Sequence, residues 1–251
     1  MFYYKIIVAY DGTVYHGWQS QPYATTVSGV LQSTFEKIFN CKAFILGASR
    51  TDAGVHSLGQ VAIVRTELDI SEKKLENAWN NALPSDILIR DISKIDDLVH
   101  PHAGVVQKTY WYHLFLERPL PFVQRYGWFL KRGFKVDKLQ EALAVFIGTH
   151  DFRSFCTGNE AESTVRTVDS ISIEHIQEFN AYRVVIKGKG FLRYMVRRIV
   201  GAALEVATNP DLSVNDLRSR LLLKDPEHTL PNAPAKGLVL YEILYDKGGV
   251  K

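Results

Sequence analysis

Cysteine is scarce in this chain: Cys41 and Cys156 are the only two among 251 residues. Set so far apart, they build no disulfide framework. Each is expected to pack as a small buried or half-buried thiol. Long apolar runs are missing too. None approaches the roughly 20 residues that a membrane-spanning helix needs, so no membrane role is expected. Metal ligands do not cluster. The eight histidines are scattered, and no His/Cys/Asp grouping has zinc spacing. His100 and His102 form a His-x-His pair, but on an irregular segment without a third ligand. No metal is therefore expected. The opening residues Met1-Phe2-Tyr3-Tyr4-Lys5 lack a basic region followed by an apolar stretch, so they do not read as a secretory signal. The expected compartment is a reducing cytoplasm. A large excess of one charge is also absent, since the formal net charge is +3.

What is present is ordinary globular material. Apolar residues make up 46% and charged residues 23%, enough for a sizeable core. At roughly 100–200 residues per domain, the length allows one large domain or two small ones. Charge is uneven along the chain. Lys187, Lys189, Arg193, Arg197 and Arg198 fall close together with no acid among them. Such a strip suits a phosphate backbone, although from charge alone a solvated stripe explains it equally well.

Periodicity supplies the elements. Phe2, Tyr4, Ile6, Val8 and Tyr10 alternate onto one face of a strand that ends at Asp11-Gly12. Val27, Val30, Leu31, Thr34, Phe35 and Ile38 recur at helical spacing. Residues 42–46 and 59–66 read as strands. Ser71 is placed as the N-cap of a helix carrying Leu75, Ala78, Trp79 and Ala82, and 87–92 resumes as strand. The second part repeats the kinds of element. Residues 105–116 form a strand. Asp137 with Gln140 resembles a capping box opening a helix on Leu139, Leu143, Phe146 and Ile147. Residues 165–176 and 182–187 pair around Asn180. Residues 191–207 form a helix ended by Asn209-Pro210, Ser213 caps another on Leu217 and Leu221, and 237–245 is a terminal strand. The class is α+β: two similar halves, 1–104 and 105–251, with a mixed or mostly antiparallel sheet and helices packed on one side.

One loop between strands carries chemical promise. It reads Gly47-Ala48-Ser49-Arg50-Thr51-Asp52-Ala53-Gly54-Val55-His56. Gly47 and Gly54 permit backbone angles that other residues avoid, and Ala53 leaves room for a ligand beside Asp52. A carboxylate here can serve as nucleophile, general base or metal ligand. A lone Asp in such a loop is more often a turn cap with Arg50 as its surface partner. The full string argues otherwise, together with several further blocks. These are Ala9-Tyr10-Asp11-Gly12-Thr13, Tyr15, Gly17-Trp18-Gln19, Gln21-Pro22, and Gly59-Gln60-Val61. Asn81 to Ile87, Lys108-Thr109-Tyr110-Trp111-Tyr112, Gly148 to Phe152, Ser154-Phe155, Phe191 to Gly201, Ala233-Pro234-Ala235 and Gly237-Leu238 follow. In this order the blocks resemble the tRNA pseudouridine synthase A family over nearly the whole chain. Two departures stand out. His102 replaces an arginine usual in the family, which puts one RNA contact in question, and Leu230-Pro231-Asn232 replaces a usual Ala-Gly.

The resemblance implies an enzyme that isomerises uridine at positions 38, 39 and 40 of the tRNA anticodon arm. It implies a homodimer, and no cofactor, because the base is detached and rejoined without redox change. It gives Asp52 as catalytic nucleophile, at the uracil ring or the ribose C1′. Tyr110 stacks on the target base and serves in proton transfer, and Arg197 pairs with Asp52. An arginine stays protonated, so it holds a carboxylate ionised even away from water. Arg50 and His56 flank the nucleophile as expected substrate-binding residues, and Arg50 helps hold the flipped nucleotide. Lys187, Lys189, Arg193 and Arg198 are the expected backbone contacts. Without the family pattern, Tyr110 reads as core packing and Arg197 as a surface residue. His150-Asp151 reads as a turn and packing pair rather than a dyad. A non-catalytic tRNA-binding or folding protein is the competing reading, but it has no need of Asp52, Tyr110 and Arg197 together. A glycoside or nucleoside hydrolase needs a second carboxylate, which the Asp52 loop does not offer.

Overall fold

The structure is a computed structural model, and it describes residues 1–97, 99–157, 163–225 and 231–246. Among these, the strands in chain order are β1 (Phe2–Tyr10), β2 (Ala43–Gly47), β3 (His56–Thr66), β4 (Ile87–Ile95), β5 (Val105–Phe115), β6 (Trp128–Phe129), β7 (Gly148–Asp151), β8 (Val165–Ile176), β9 (Ala181–Gly188) and β10 (Leu238–Tyr245). The helices are α1 (Val27–Phe39), α2 (Glu72–Ala82), α3 (Val136–Ala144), α4 (Met195–Thr208) and α5 (Val214–Leu223). The content is α+β, as expected. The chain divides into two compact units, Met1–Val106 with Val239–Lys251, and Gln107–Leu238.

In the first unit β1 lies between β3 and β4, antiparallel to both. β2 adds antiparallel to β3. The alternation in β1 is realised: Tyr4, Ile6, Val8 and Tyr10 are buried. They meet Val27, Leu31 and Phe35 of α1 and Leu75 and Trp79 of α2. Each large side chain removed from water contributes about 1.5–3 kcal/mol. Strand period 2 and helix period 3.6 thus converge on one core, with both helices on one face of the sheet. The opposite face holds a smaller cluster around Ile63 and Ile95, flanked by Tyr3, Val99 and Tyr245. Sequence order puts β10 in the C-terminal half. Its strand packs in this first unit instead, with Val239 and Leu240 pairing parallel to His56 and Ser57.

The second unit is built on β5, β9, β8 and β7, each antiparallel to the next. β6 lies parallel to the end of β5. The β8–β9 turn closes at Asn180, whose φ of 45° is the left-handed conformation that Asn tolerates. Helices α3, α4 and α5 pack on one another. Local expectations fail in three places. Helix α4 starts at Met195 rather than Phe191, because Tyr194 has φ 65° and cannot propagate a right-handed turn. The Asp137/Gln140 box does not form: Lys135 is the N-cap and no side chain caps it. The reciprocal box forms at α5, where Ser213 and Asp216 bond each other's backbone N–H groups. Strands β6 and β7 are too short to show a period in the sequence. Leu230 lies outside the described residues.

Candidate active site

The Asp52 loop joins β2 to β3 and is held almost residue by residue. Ala48 N donates to Val61 O at 2.8 Å. The fully buried Gln60 grips Ser49 at two points: its Oε1 accepts from Ser49 N at 3.2 Å, and its Nε2 donates to Ser49 O at 2.5 Å. Thr51 O accepts from Trp18 N at 3.2 Å, and Thr51 Oγ1 lies 2.8 Å from the Tyr10 hydroxyl. Gly54, at φ 76°, donates its N–H to Tyr15 O at 3.1 Å. Val55 N donates to Asp52 O at 3.2 Å, which closes the turn on the aspartate itself. Gly17 is needed for this fit. Its φ is 89°, and a Cβ there would stand 2.5 Å from Thr51 O.

Within this pinned frame Arg50, Asp52, Ala53 and Gly54 are left more open. Arg50 and Ala53 are exposed and Asp52 is half-buried, whereas Ser49, Thr51, Val55 and His56 are buried. The loop therefore spends its backbone and small side chains on fixation and presents one carboxylate beside one guanidinium. His56 belongs to the scaffold. It is 3% exposed; its Nδ1 accepts from Gly12 N at 3.1 Å and lies 3.1 Å from Asp11 Oδ1. A direct grip on substrate, expected from its place in the motif, does not suit a ring so buried. Tyr15 donates its hydroxyl to Asp86 Oδ1 at 2.6 Å, and burial, followed by Asp86, raises its pKa above the usual tyrosine range. Tyr10, Trp18, Gln60 and Asp86 are thus supporting residues. The sequence shows them inside motif blocks without showing what they do.

The second unit gathers the other expected residues around β5 and the start of α4. Tyr110 is buried on β5, opposite Ile186, and meets Phe191 edge-on at 5.3 Å. Tyr112, two residues on, shares that strand face. Its hydroxyl donates to Pro234 O at 2.8 Å, and burial raises its pKa while the nearby Arg197 opposes that shift. Arg197 is half-buried and doubly oriented: Nε donates to Ala233 O at 2.8 Å, and its guanidinium carbon lies 5.4 Å from the Tyr194 ring centroid. Ala233 N returns a bond to Arg197 O at 3.1 Å. Lys108 opens the Lys108–Tyr112 motif block, where the sequence gives it no role of its own. It is buried on the Tyr110 face of β5, and burial pushes its pKa down to about 8.

The basic strip divides. Lys189 and Arg193 are exposed and Lys187 is half-buried, compatible with a phosphate contact. Arg198 departs from the expectation. It is 7% exposed and donates Nη1 to Cys156 O at 2.6 Å and to Ser154 O at 3.4 Å. It ties α4 to the segment after β7. His150 and Asp151 are local ties as well. His150 Nε2 lies 3.0 Å from Ile147 O, and Asp151 accepts from Thr164 Oγ1 at 2.6 Å and Arg153 N at 3.2 Å. His102 is exposed and stacks on His100 at 5.2 Å. Among the described residues, no group of three or more His, Cys, Asp or Glu is placed to hold a metal ion. No helix there is long and apolar enough to cross a membrane.

Comparison with known proteins decides the family. A family model described as tRNA pseudouridine synthase matches residues 6–102 and 142–246. The chain belongs to the tRNA pseudouridine synthase family. Among its relatives, "tRNA pseudouridine synthase A" of Thermodesulfovibrio yellowstonii is 35% identical, covering 96% of this chain and 98% of that protein. The protein of the same description from Thermoanaerobacter sp. is 37% identical with the same coverage. That of Chlamydia pneumoniae is 36% identical over 96% of this chain and 91% of its own. Family membership makes the chain an isomerase of uridine in tRNA. Asp52 and Arg197 lie inside the matched segments, and Tyr110 lies between them.

Proposed function

We propose that this enzyme converts uridine to pseudouridine at positions 38, 39 and 40 of the tRNA anticodon arm, with Asp52 as nucleophile. The observation that carries the reading is the Asp52 loop: its neighbours are locked by hydrogen bonds and burial while the carboxylate stays half-open. Aiming one group at one carbon is what a covalent step requires. In the reaction the N1–C1′ bond breaks, the uracil turns, and a C5–C1′ bond forms. The C5 proton leaves and N1 gains one, so atoms and oxidation level balance. Asp52 forms and then releases a carbon–oxygen bond, at the uracil ring or at C1′. Tyr110 packs the flipped base and takes part in the proton transfer. Arg197 supplies the positive charge that keeps Asp52 ionised, a pairing carried by the family pattern. Arg50 fills space vacated by the flipped nucleotide, a flip that costs about a few kcal/mol. Lys187, Lys189 and Arg193 hold phosphates. The enzyme works as a homodimer in the cytoplasm.

The test is direct. Purified protein is incubated with unmodified tRNA, and pseudouridine is mapped. The expected products fall at 38, 39 and 40, with none formed by Asp52→Ala. Product at other positions removes the anticodon assignment. Product from Asp52→Ala removes the nucleophile.

A further inference from the structure

Between β5 and α3 the chain makes an excursion from Arg118 to Lys135. It contains five cations, Arg118, Arg125, Lys131, Arg132 and Lys135, and no acid. All five are exposed. Against a net charge of +3 for the whole chain, this is a marked local concentration. Apolar groups stand among the cations: Phe122 is 66% exposed and Leu120 52%. The base of the excursion is firmly built. Trp128 and Phe129 pair with Leu114 and Phe115 of β5. Leu130 N donates to Phe115 O at 3.1 Å, and Lys236 Nζ to Gln124 O at 3.3 Å. Phe134 meets Tyr182 edge-on at 5.8 Å. Gly127 lets the chain close on Phe115, whose ring would stand 2.2 Å from a Cβ. The stretch lies between the two segments matched by the family model, so membership gives it no role.

We infer that this excursion is an RNA-binding arm, in which the cations hold phosphates of the bound tRNA and Phe122 stacks on an unpaired base. This deepens the proposed function and rests on it. Five exposed like charges within 18 residues attract a polyanion. Lysine is depleted at protein interfaces, so Lys131 and Lys135 favour a polyanion over a protein partner. Cations interleaved with an exposed ring match the way single-stranded nucleic acid is held, by backbone charge and base stacking together. The Lys187–Arg193 cations then need not carry all of the affinity.

The experiment measures tRNA binding by anisotropy across a salt series for the triple variant Lys131→Gln, Arg132→Gln, Lys135→Gln, and separately for Phe122→Ala. The triple variant should weaken binding by about tenfold or more and reduce the slope of log affinity against log salt by about 2. Phe122→Ala should weaken binding by about tenfold, the scale of one lost stack, and leave the slope unchanged. Lys131→Arg with Arg132→Lys, which keeps the charge, should bind nearly as wild type. Wild-type affinity and slope in the triple variant overturn the arm. So does loss of dimer mass in sedimentation with RNA affinity per protomer retained, since that marks a protein interface. Wild-type protein is assayed first for pseudouridine formation. No product there defeats the proposed function itself, whereas product with unchanged binding by the variants defeats only the arm.

Discussion

The Asp52 loop and the Arg197 segment hold their candidate catalytic side chains by opposite means. Asp52 has one rotatable carbon before its carboxyl, so the backbone must do the aiming. Accordingly Ala48, Ser49, Thr51, Gly54 and Val55 are all bonded through their main chain. Arg197 has a long side chain on a regular helix, and the side chain itself is held, by Ala233 O and by the Tyr194 ring. The backbone strain in that segment falls on Tyr194, a non-glycine residue at φ 65°, which costs of order 1–3 kcal/mol. Its neighbour Arg198 shows the third outcome, a cation sealed among carbonyl oxygens. A short side chain inherits its precision from the loop, whereas a long one needs partners of its own.

The comparison is open to attack at several points. Gly17→Ala strikes the loop from outside it, where a Cβ meets Thr51 O and φ is 89°. A shift of order 1 Å at a reacting group costs about 100-fold in rate. Single-turnover isomerisation should fall by about that factor, with tRNA affinity nearly unchanged. A full rate in this variant would show that the loop need not be held.

Arg197 and Arg198 should separate into chemistry and stability. Arg197→Lys should lower the single-turnover rate by at least about tenfold while leaving Tm and the dissociation constant close to wild type. An ammonium cannot reproduce a planar fork. Arg198→Ala should instead lower stability by about 1–3 kcal/mol, because it strips donors from buried carbonyls. Urea melts and rapid-quench kinetics on both variants check this. A stability loss at Arg197 with none at Arg198 reverses the assignment.

The smallest effect concerns Lys108. With its pKa near 8 when folded and the usual 10.5 when unfolded, the unfolded chain binds more protons between those values. Stability should therefore rise as pH goes from about 8 toward 10. Below pH 8 the buried ammonium costs stability, and that cost fades as it deprotonates. Lys108→Met should flatten this rise in a series of urea melts. An unchanged slope means that Lys108 stays charged in the folded protein.

The sequence was most legible where one period ran long. β1, α1 and α2 could be read from alternating and helical apolar positions that do bury together. Short or strained pieces could not, because β6 and β7 show no period and the left-handed turn at Tyr194 leaves no compositional mark. At the site, the loop string was visible as a motif, but Gln60 and Tyr10 gained meaning only from their bonds to Ser49 and Thr51. Arg198 looked like its neighbours by charge. A linear strip does not reveal that one helix position faces inward. Likewise β10 followed the second half in sequence, while its pairing with His56 and Ser57 puts it in the first unit.

The central claim is that the loop aims one carboxylate at one carbon, and Asp52→Glu tests it most directly. The substitution keeps the charge and the chemistry and moves the carboxyl outward by one methylene. With saturating tRNA, the single-turnover rate of pseudouridine formation should fall by about 100-fold or more, with the dissociation constant within a few fold of wild type. A near-wild-type rate would contradict the account, because the position fixed by the loop would then not matter to the reaction.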